Sequence, residues 1–547
     1  MRLDRLGSAH ATRLSFMRQL LRRLRDESWE ITRARFDMDA RGVGTALYTA
    51  VGPKRSYTLV AFGHDLPDEQ RSDRVIATAW DATFTLFDGI PDAAEIERLR
   101  DNVPHQEAGR LSSRELTLSR ANRSARLWTH VVDSLARGHQ PDIDRVNEVG
   151  YLIRTTAVYG SGKFGAADRA ATVHRSECAA PFQLEMLTVY LIRCFVMDLV
   201  EHMARARAPD AAVPLDPALR RRFGIGNSTG LGMAPFLINH PELLNAWIGA
   251  REEALARIRS QPVAPPASHE ALTRLVARAT QHAEDWRSGH PIQQVKIADL
   301  RADLARLSRH VATADFQDNQ PWNALWLWGE ANLTPEGQEQ LLALLLELHP
   351  ELVDELCTRM AIDENASFAI HGGMRRTDLL SLVQEVYDWA LATDWTEPTA
   401  RAKLWYVSEA KQEPRLGLRS DTGLHAYEQP LGIGRAVTKL CHALETSDHE
   451  TTAAFLLAHP EHRHIVRRVQ RAARLPYAEI RDNTLSDDLR PIDMLRLKLS
   501  FFGASHFDPR SDRWVRINMF RDAPFPQDLR GEDADDWSLP RLTLAAE

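Results

Sequence analysis

Two glycine-rich stretches carry most of the groups in this chain that could hold an anion. The first reads Ala157-Val158-Tyr159-Gly160-Ser161-Gly162-Lys163-Phe164-Gly165, and the second reads Gly224-Ile225-Gly226-Asn227-Ser228-Thr229-Gly230-Leu231-Gly232-Met233. Glycine at this density costs backbone entropy on folding, so it answers a geometric need. The need is either a positive φ or close approach of the backbone to a ligand, often an anion held by peptide N–H groups. In the first stretch, Gly160, Gly162 and Lys163 form a candidate cradle with the lysine as its charge. In the second, Gly226, Asn227, Ser228, Thr229 and Gly230 follow Arg220, Arg221 and Arg222. Hydroxyls, an amide, guanidinium groups and the free N–H groups of a helix expected to open near Leu231 suit a phosphate or carboxylate. Each stretch also has a plainer reading. The first could be a pair of tight turns between helices, and the second a capped helix start behind a solvated arginine face.

Two more segments put glycine or mixed charge beside acid–base groups. His371-Gly372-Gly373-Met374-Arg375-Arg376 offers Arg375 and Arg376 for an anion and His371 as acid or base. Between Ser408 and Arg419 the chain interleaves Glu409, Lys411, Glu413 and Arg415, with Pro414 and Gly417 favouring a loop. Alternate residues of an extended loop face one side, which sets Lys411 between two carboxylates. Glu409, Lys411 or His371 is then the expected proton-transfer group, with Arg415 a further ligand for the anion. The plainer reading of this segment is a solvated charge cluster.

The first stretch also matches G-x-G-x-x-G at Gly160, Gly162 and Gly165. That motif needs a strand before it and another about thirty residues later. Ile143, Val146, Val149 and Ile153 are instead spaced as on a helix, and a long amphipathic helix is expected from Phe182 to Arg205. The spacing therefore argues against a dinucleotide fold, and Lys163 is misplaced for a P-loop. There is no H-E-x-x-H, paired-cysteine or calcium-loop motif and no G-x-S-x-G elbow, so no metal ligand or cofactor is nominated. A metal assembled from distant residues stays open. Cys178, following His174 and Glu177, is either a lone nucleophile or a buried, inert thiol.

The elements that must position these groups look mostly helical. The chain has 547 residues, 44% of them apolar and 26% charged, with a net charge of −7. That size suits two to four domains, and the charge makes a nucleic-acid partner unlikely on bulk electrostatics. Four dispersed cysteines suggest a reducing, cytoplasmic setting, and no uncharged run reaches membrane-span length. Residues 1–27 read as a helix and residues 28–95 as a small antiparallel meander. Ser112-Ser113-Arg114-Glu115 resembles a capping box with a helix running on to about Gly138.

Helices dominate from Pro141 onward, and Pro262, Pro265 and Pro266 mark an edge between domains. The run Pro321 to Trp328, rich in tryptophan, reads as core or as the interface of a homo-oligomer. His-Pro-Glu recurs at 240, 349 and 459, as similar helix–helix junctions or a faint repeat. Residues 506–520 suggest a terminal hairpin packed on helices, in which His506 and Asp508 could orient one another.

The expected fold is mainly α: a multi-helix globular protein with a small antiparallel β section near the N-terminus and a short C-terminal β-hairpin, α+β overall. The expected divisions are 1–140, 141–260 and 261–547. The leading functional expectation is an intracellular enzyme acting on a small anionic metabolite by acid–base chemistry, in a cleft lined by the glycine loops and arginines. The alternatives are a nucleotide- or acyl-CoA-using transferase and a non-enzymatic helical scaffold for protein partners.

Overall fold

The computed structural model describes residues 12–67, 79–102, 112–159, 172, 174–178, 180, 182–227, 241–284, 291–317, 319–360, 370–392, 394–396, 405–408, 414–416, 428–430, 433–463, 465–466, 469, 506–511, 514–531, 535 and 537. Helix α1 (Phe16–Asp26) leads into strands β1 (Glu30–Met38), β2 (Gly44–Val51), β3 (Ser56–Gly63) and β4 (Ala82–Asp88). Helix α2 (Ala93–Asn102), β5 (Glu115–Arg123), α3 (Trp128–Ala136), α4 (Ile143–Val149) and β6 (Tyr151–Tyr159) follow. Helices α5 (Gln183–Arg207) and α6 (Pro217–Arg222) precede β7 (Gly224–Asn227). A run of helices then extends from Pro241 to Val353. A small sheet of β8 (Trp405–Ser408), β9 (Pro414–Leu416) and β10 (Glu428–Pro430) comes later, and β11 (His506–Ser511) and β12 (Trp514–Met519) lie near the end.

The expected small β section and separate hairpin are in fact one nine-stranded mixed sheet, ordered β1-β2-β3-β4-β5-β6-β7-β12-β11. The terminal hairpin pairs through β12 with β7 instead of packing only on helices. Three features hid the sheet in the sequence. Strand β5, like β2 to β4, is buried on both faces, and its buried Thr117 and Ser119 blur polar–apolar alternation. One face of the sheet carries Leu47, Val60, Phe62, Phe87 and Leu118 against Ile96 and Leu99 of α2, while the other carries Ala46, Tyr48, Leu59, Phe84 and Ala121 in the main core with α5. The capping-box signal at Ser112 is a turn: Arg114 N–H and Glu115 N–H donate to Ser112 Oγ and O, and β5 follows. The helical spacing from Ile143 stops at Val149, where Gly150 takes a φ of 69° and ends α4, so β6 begins one residue later.

Helix α5 lies along the sheet. It has no glycine or proline between Gln183 and Arg207, and residues 186–197 are buried on every side, the mark of a central helix. Each fully buried Leu, Phe or Val here contributes about 1.5–3 kcal/mol. Thr188 Oγ1 meets Thr117 Oγ1 at 2.7 Å near the start of α5, and His202 reaches Asp39 O at 3.0 Å near its finish. The helix therefore runs from the β5-start end of the sheet to the opposite end.

Arg193, fully buried at the middle of α5, donates only to backbone: Phe223 O at 2.7 Å, Ala523 O at 2.9 Å, Pro524 O at 3.4 Å and Arg221 O at 3.1 Å. Its guanidinium also lies 3.9 Å from the Phe525 ring centroid. One side chain thus ties the central helix to the stretch before β7 and to the segment after β12.

A second, smaller core joins residues 370–469, with Leu379, Val383, Tyr387, Val437, Leu440 and Phe455 at its centre. Two of the three His-Pro-Glu echoes share one geometry. His349 and His459 each end a helix with φ near −125° and ψ of 57° and 65°, and each sets Nδ1 near the glutamate two residues on, at 3.2 and 3.5 Å. The third, at His240, lies outside the described residues. Among the described residues, no helix is long and apolar enough to cross a membrane.

Candidate functional site

Strands β6 and β7 are neighbours and run parallel, with Tyr151 opposite Gly224, Arg154 opposite Gly226 and Thr155 opposite Asn227. Between them the chain crosses over through α5 and α6, the βαβ connection that parallel neighbours require. Both glycine-rich stretches therefore leave the sheet at the carboxyl ends of adjacent parallel strands, after Tyr159 and Asn227. In open sheets this is the edge where ligands bind. Because α5 begins at the same end, its N-terminus also lies there, with the positive end of the helix dipole. A strand thus precedes Gly160-Ser161-Gly162: the helical reading from Ile143 holds as far as Val149 and fails beyond it, where β6 begins. The remaining pattern still departs from a dinucleotide fold, since α5 opens at Gln183 and the next parallel strand only at Gly224.

The nominated residues divide into three groups. Gly160, Gly162, Lys163, Ser228, Thr229, Gly230, Glu409 and Lys411 lie outside the described residues. Gly226 and Asn227 form the end of β7, and a Cβ on Gly226 would stand 2.6 Å from the Tyr151 ring. Packing against that ring alone accounts for the glycine. The third group belongs to other parts of the fold. His371 is exposed, in a turn pinned to the second core by Thr452 N–H to Met374 O and Ala453 N–H to Gly372 O. Arg375 pairs with Asp378 at 2.9 Å, and Arg376 donates to Leu444 O. Arg415 stands on β9 opposite Tyr406. Strands β8 and β9 pair as a hairpin joined by residues 409–413, so the segment expected to be a loop from Ser408 to Arg419 is strand at Ser408 and at Pro414–Leu416, Pro414 included.

The arginines before the second glycine stretch are already engaged. Arg220 pairs with Asp198 at 3.3 Å and Glu201 at 3.5 Å, Arg221 donates to Asp522 O at 3.2 Å, and Arg222 pairs with Asp522 at 3.2 Å. These contacts lock α6 to the central helix and to the C-terminal segment. Trp322 and Trp326 are core residues, at 0% and 1% exposure, which removes them from any exposed aromatic surface.

Sequence reasoning passed over a polar cluster at the same end of the sheet. Residues Tyr159, Leu118, Glu115, Phe87, Asp88 and Tyr57 step across from β6 to β3 by register. There Tyr57 Oη donates to Glu177 Oε1 at 2.5 Å, and Arg175 donates to Tyr57 Oη at 3.3 Å and Asp88 Oδ2 at 2.8 Å. Arg55 approaches Glu177 at 3.4 Å. Burial raises the Tyr57 hydroxyl well above the usual phenol range, and its bond to Glu177 adds to this. Burial works against the Glu177 carboxylate, yet the Tyr57 bond and the two arginines hold it below the usual range. Burial also pushes the Cys178 thiol up to about 12, which makes it a poor nucleophile at neutral pH. The one signal in the sequence was the run Arg175-Ser176-Glu177-Cys178; its partners lie more than eighty residues earlier in the chain.

Among the described residues, no group of three or more His, Cys, Asp or Glu is arranged to hold a metal ion. Comparison with protein-family models, curated proteins and solved structures gives no match.

Proposed function

We propose that this chain is an enzyme acting on a small anionic metabolite bound at the loop end of the sheet. The observation that supports the reading is the parallel pairing of β6 with β7, which points the carboxyl ends of both strands, Tyr159 and Asn227, toward the end of the sheet where α5 begins. Peptide N–H groups of two glycine loops, the Lys163 ammonium and the Ser228 and Thr229 hydroxyls then supply the donors for a phosphate or carboxylate. Proton transfer falls to Glu409 or Lys411 of the β8–β9 connection, or to His371. Cysteine usage supports a cytoplasmic setting, and the half-exposed Leu327 beside two buried tryptophans supports a homo-oligomer.

One observation favours a narrower second reading, a nucleotide- or acyl-CoA-using transferase. G-x-G-x-x-G directly after a strand, at the start of a parallel crossover, suits a pyrophosphate. A helical scaffold has less support, since its candidate aromatics are buried.

Equilibrium binding of inorganic phosphate, ATP, coenzyme A and citrate to the wild type, Lys163→Ala and Thr229→Val tests the reading. At least one of these ligands is expected to bind, at least tenfold more weakly to both variants. Equal affinity in all three proteins, or no binding of any ligand, overturns the loop-end site.

A further inference from the structure

We draw no further inference here: the strongest candidate, the side-chain cluster of His449, His459 and His462 around Glu461 and the buried Phe455 ring in the smaller core, is not arranged to hold a metal ion, and its His459–Glu461 contact recurs between His349 and Glu351 as part of a helix junction.

Discussion

At the scale of single residues, Arg193 holds four backbone carbonyls from two separate stretches of the chain. Burial lowers its pKa to about 10, yet no carboxylate stands within ion-pair distance of it among the described residues. Four carbonyl oxygens and the Phe525 ring take that place. A buried acceptor left without its donor costs about 1–3 kcal/mol, so Arg193→Met, which strips the donor from several carbonyls, is expected to lose at least about 2 kcal/mol of stability by denaturant unfolding. A loss below about 1 kcal/mol would mean that solvent or neighbours replace the guanidinium. Gly226 makes a second residue-scale case. Gly226→Ala drives a methyl into the Tyr151 ring, and overpacking of this kind costs about 1–3 kcal/mol. Tyr151→Leu should relieve part of that cost in the double variant, as a coupling energy between neighbours. Strict additivity of the two substitutions would contradict the packing account and return Gly226 to the ligand.

Histidine titration belongs to this scale too. Burial lowers the pKa of His349, despite the hydrogen bond to Glu351, and that of His64 in spite of the Asp81 charge. In the window below the ordinary imidazole value of about 6.5, the unfolded chain binds more protons than the folded one, so stability rises with pH there. The full contribution is present above about pH 6.5 and is lost as pH falls toward the lowered values. His349→Gln is expected to flatten the slope of unfolding free energy between pH 7 and pH 5; an unchanged slope would exclude His349 as a source.

At the scale of elements, α5 and β7 depend on a hairpin almost three hundred residues later. β12 pairs with β7 through Ile517–Asn227, Asn518–Gly226 and Met519–Ile225. The segment after it supplies two of the four carbonyls that Arg193 holds, the Asp522 partner of Arg222 and, at Asp535, a partner for Arg13 and Arg18 of the N-terminal region. A chain ending at residue 503 is expected to lose the cooperative transition of the sheet and the helices packed on it, by circular dichroism in denaturant, and to keep that of residues 370–469. A native-like transition of the sheet in that shortened chain would show the hairpin to be peripheral.

Elements also divide what could be read from the sequence. The long helix was legible because its apolar residues recur with no glycine or proline for twenty-five positions. Strands β1 to β3 were legible from alternation and the Gly52-Pro53 turn. β5 and β6 were not, because Thr117, Ser119 and Arg154 are buried polar residues in strands covered on both faces. β7 is four residues, Gly224–Asn227, and its glycines read as loop when they answer to the Tyr151 ring and the Met519 carbonyl. The residues proposed as donors were visible as residue types. The shared direction of β6 and β7 was not, since both strands went unread.

At the scale of the whole molecule, beside the small apolar layer that α2 covers on the sheet, two larger hydrophobic cores stand apart. The larger runs from Leu14 through the sheet and the helices up to Leu356, and takes in Phe520, Phe525 and Trp537. The smaller is confined to residues 370–469. Separate cores permit separate unfolding, so two calorimetric transitions are expected. Phe455→Ala, which empties a fully buried position, should lower only the transition of the smaller core, by about 3–5 kcal/mol. One transition that shifts as a whole would show the cores to be a single cooperative unit.

The central claim is that one anion draws on both glycine segments at the loop end of the sheet. Hydrogen exchange of the full-length protein with and without inorganic phosphate, ATP, coenzyme A or citrate tests it most directly. The account predicts that one ligand slows exchange over residues 160–174 and 228–240 together, at the same ligand concentration, and leaves the turn at 371–376 untouched. Protection of only one segment, protection confined to 371–376, or no protection by any of the four would contradict it.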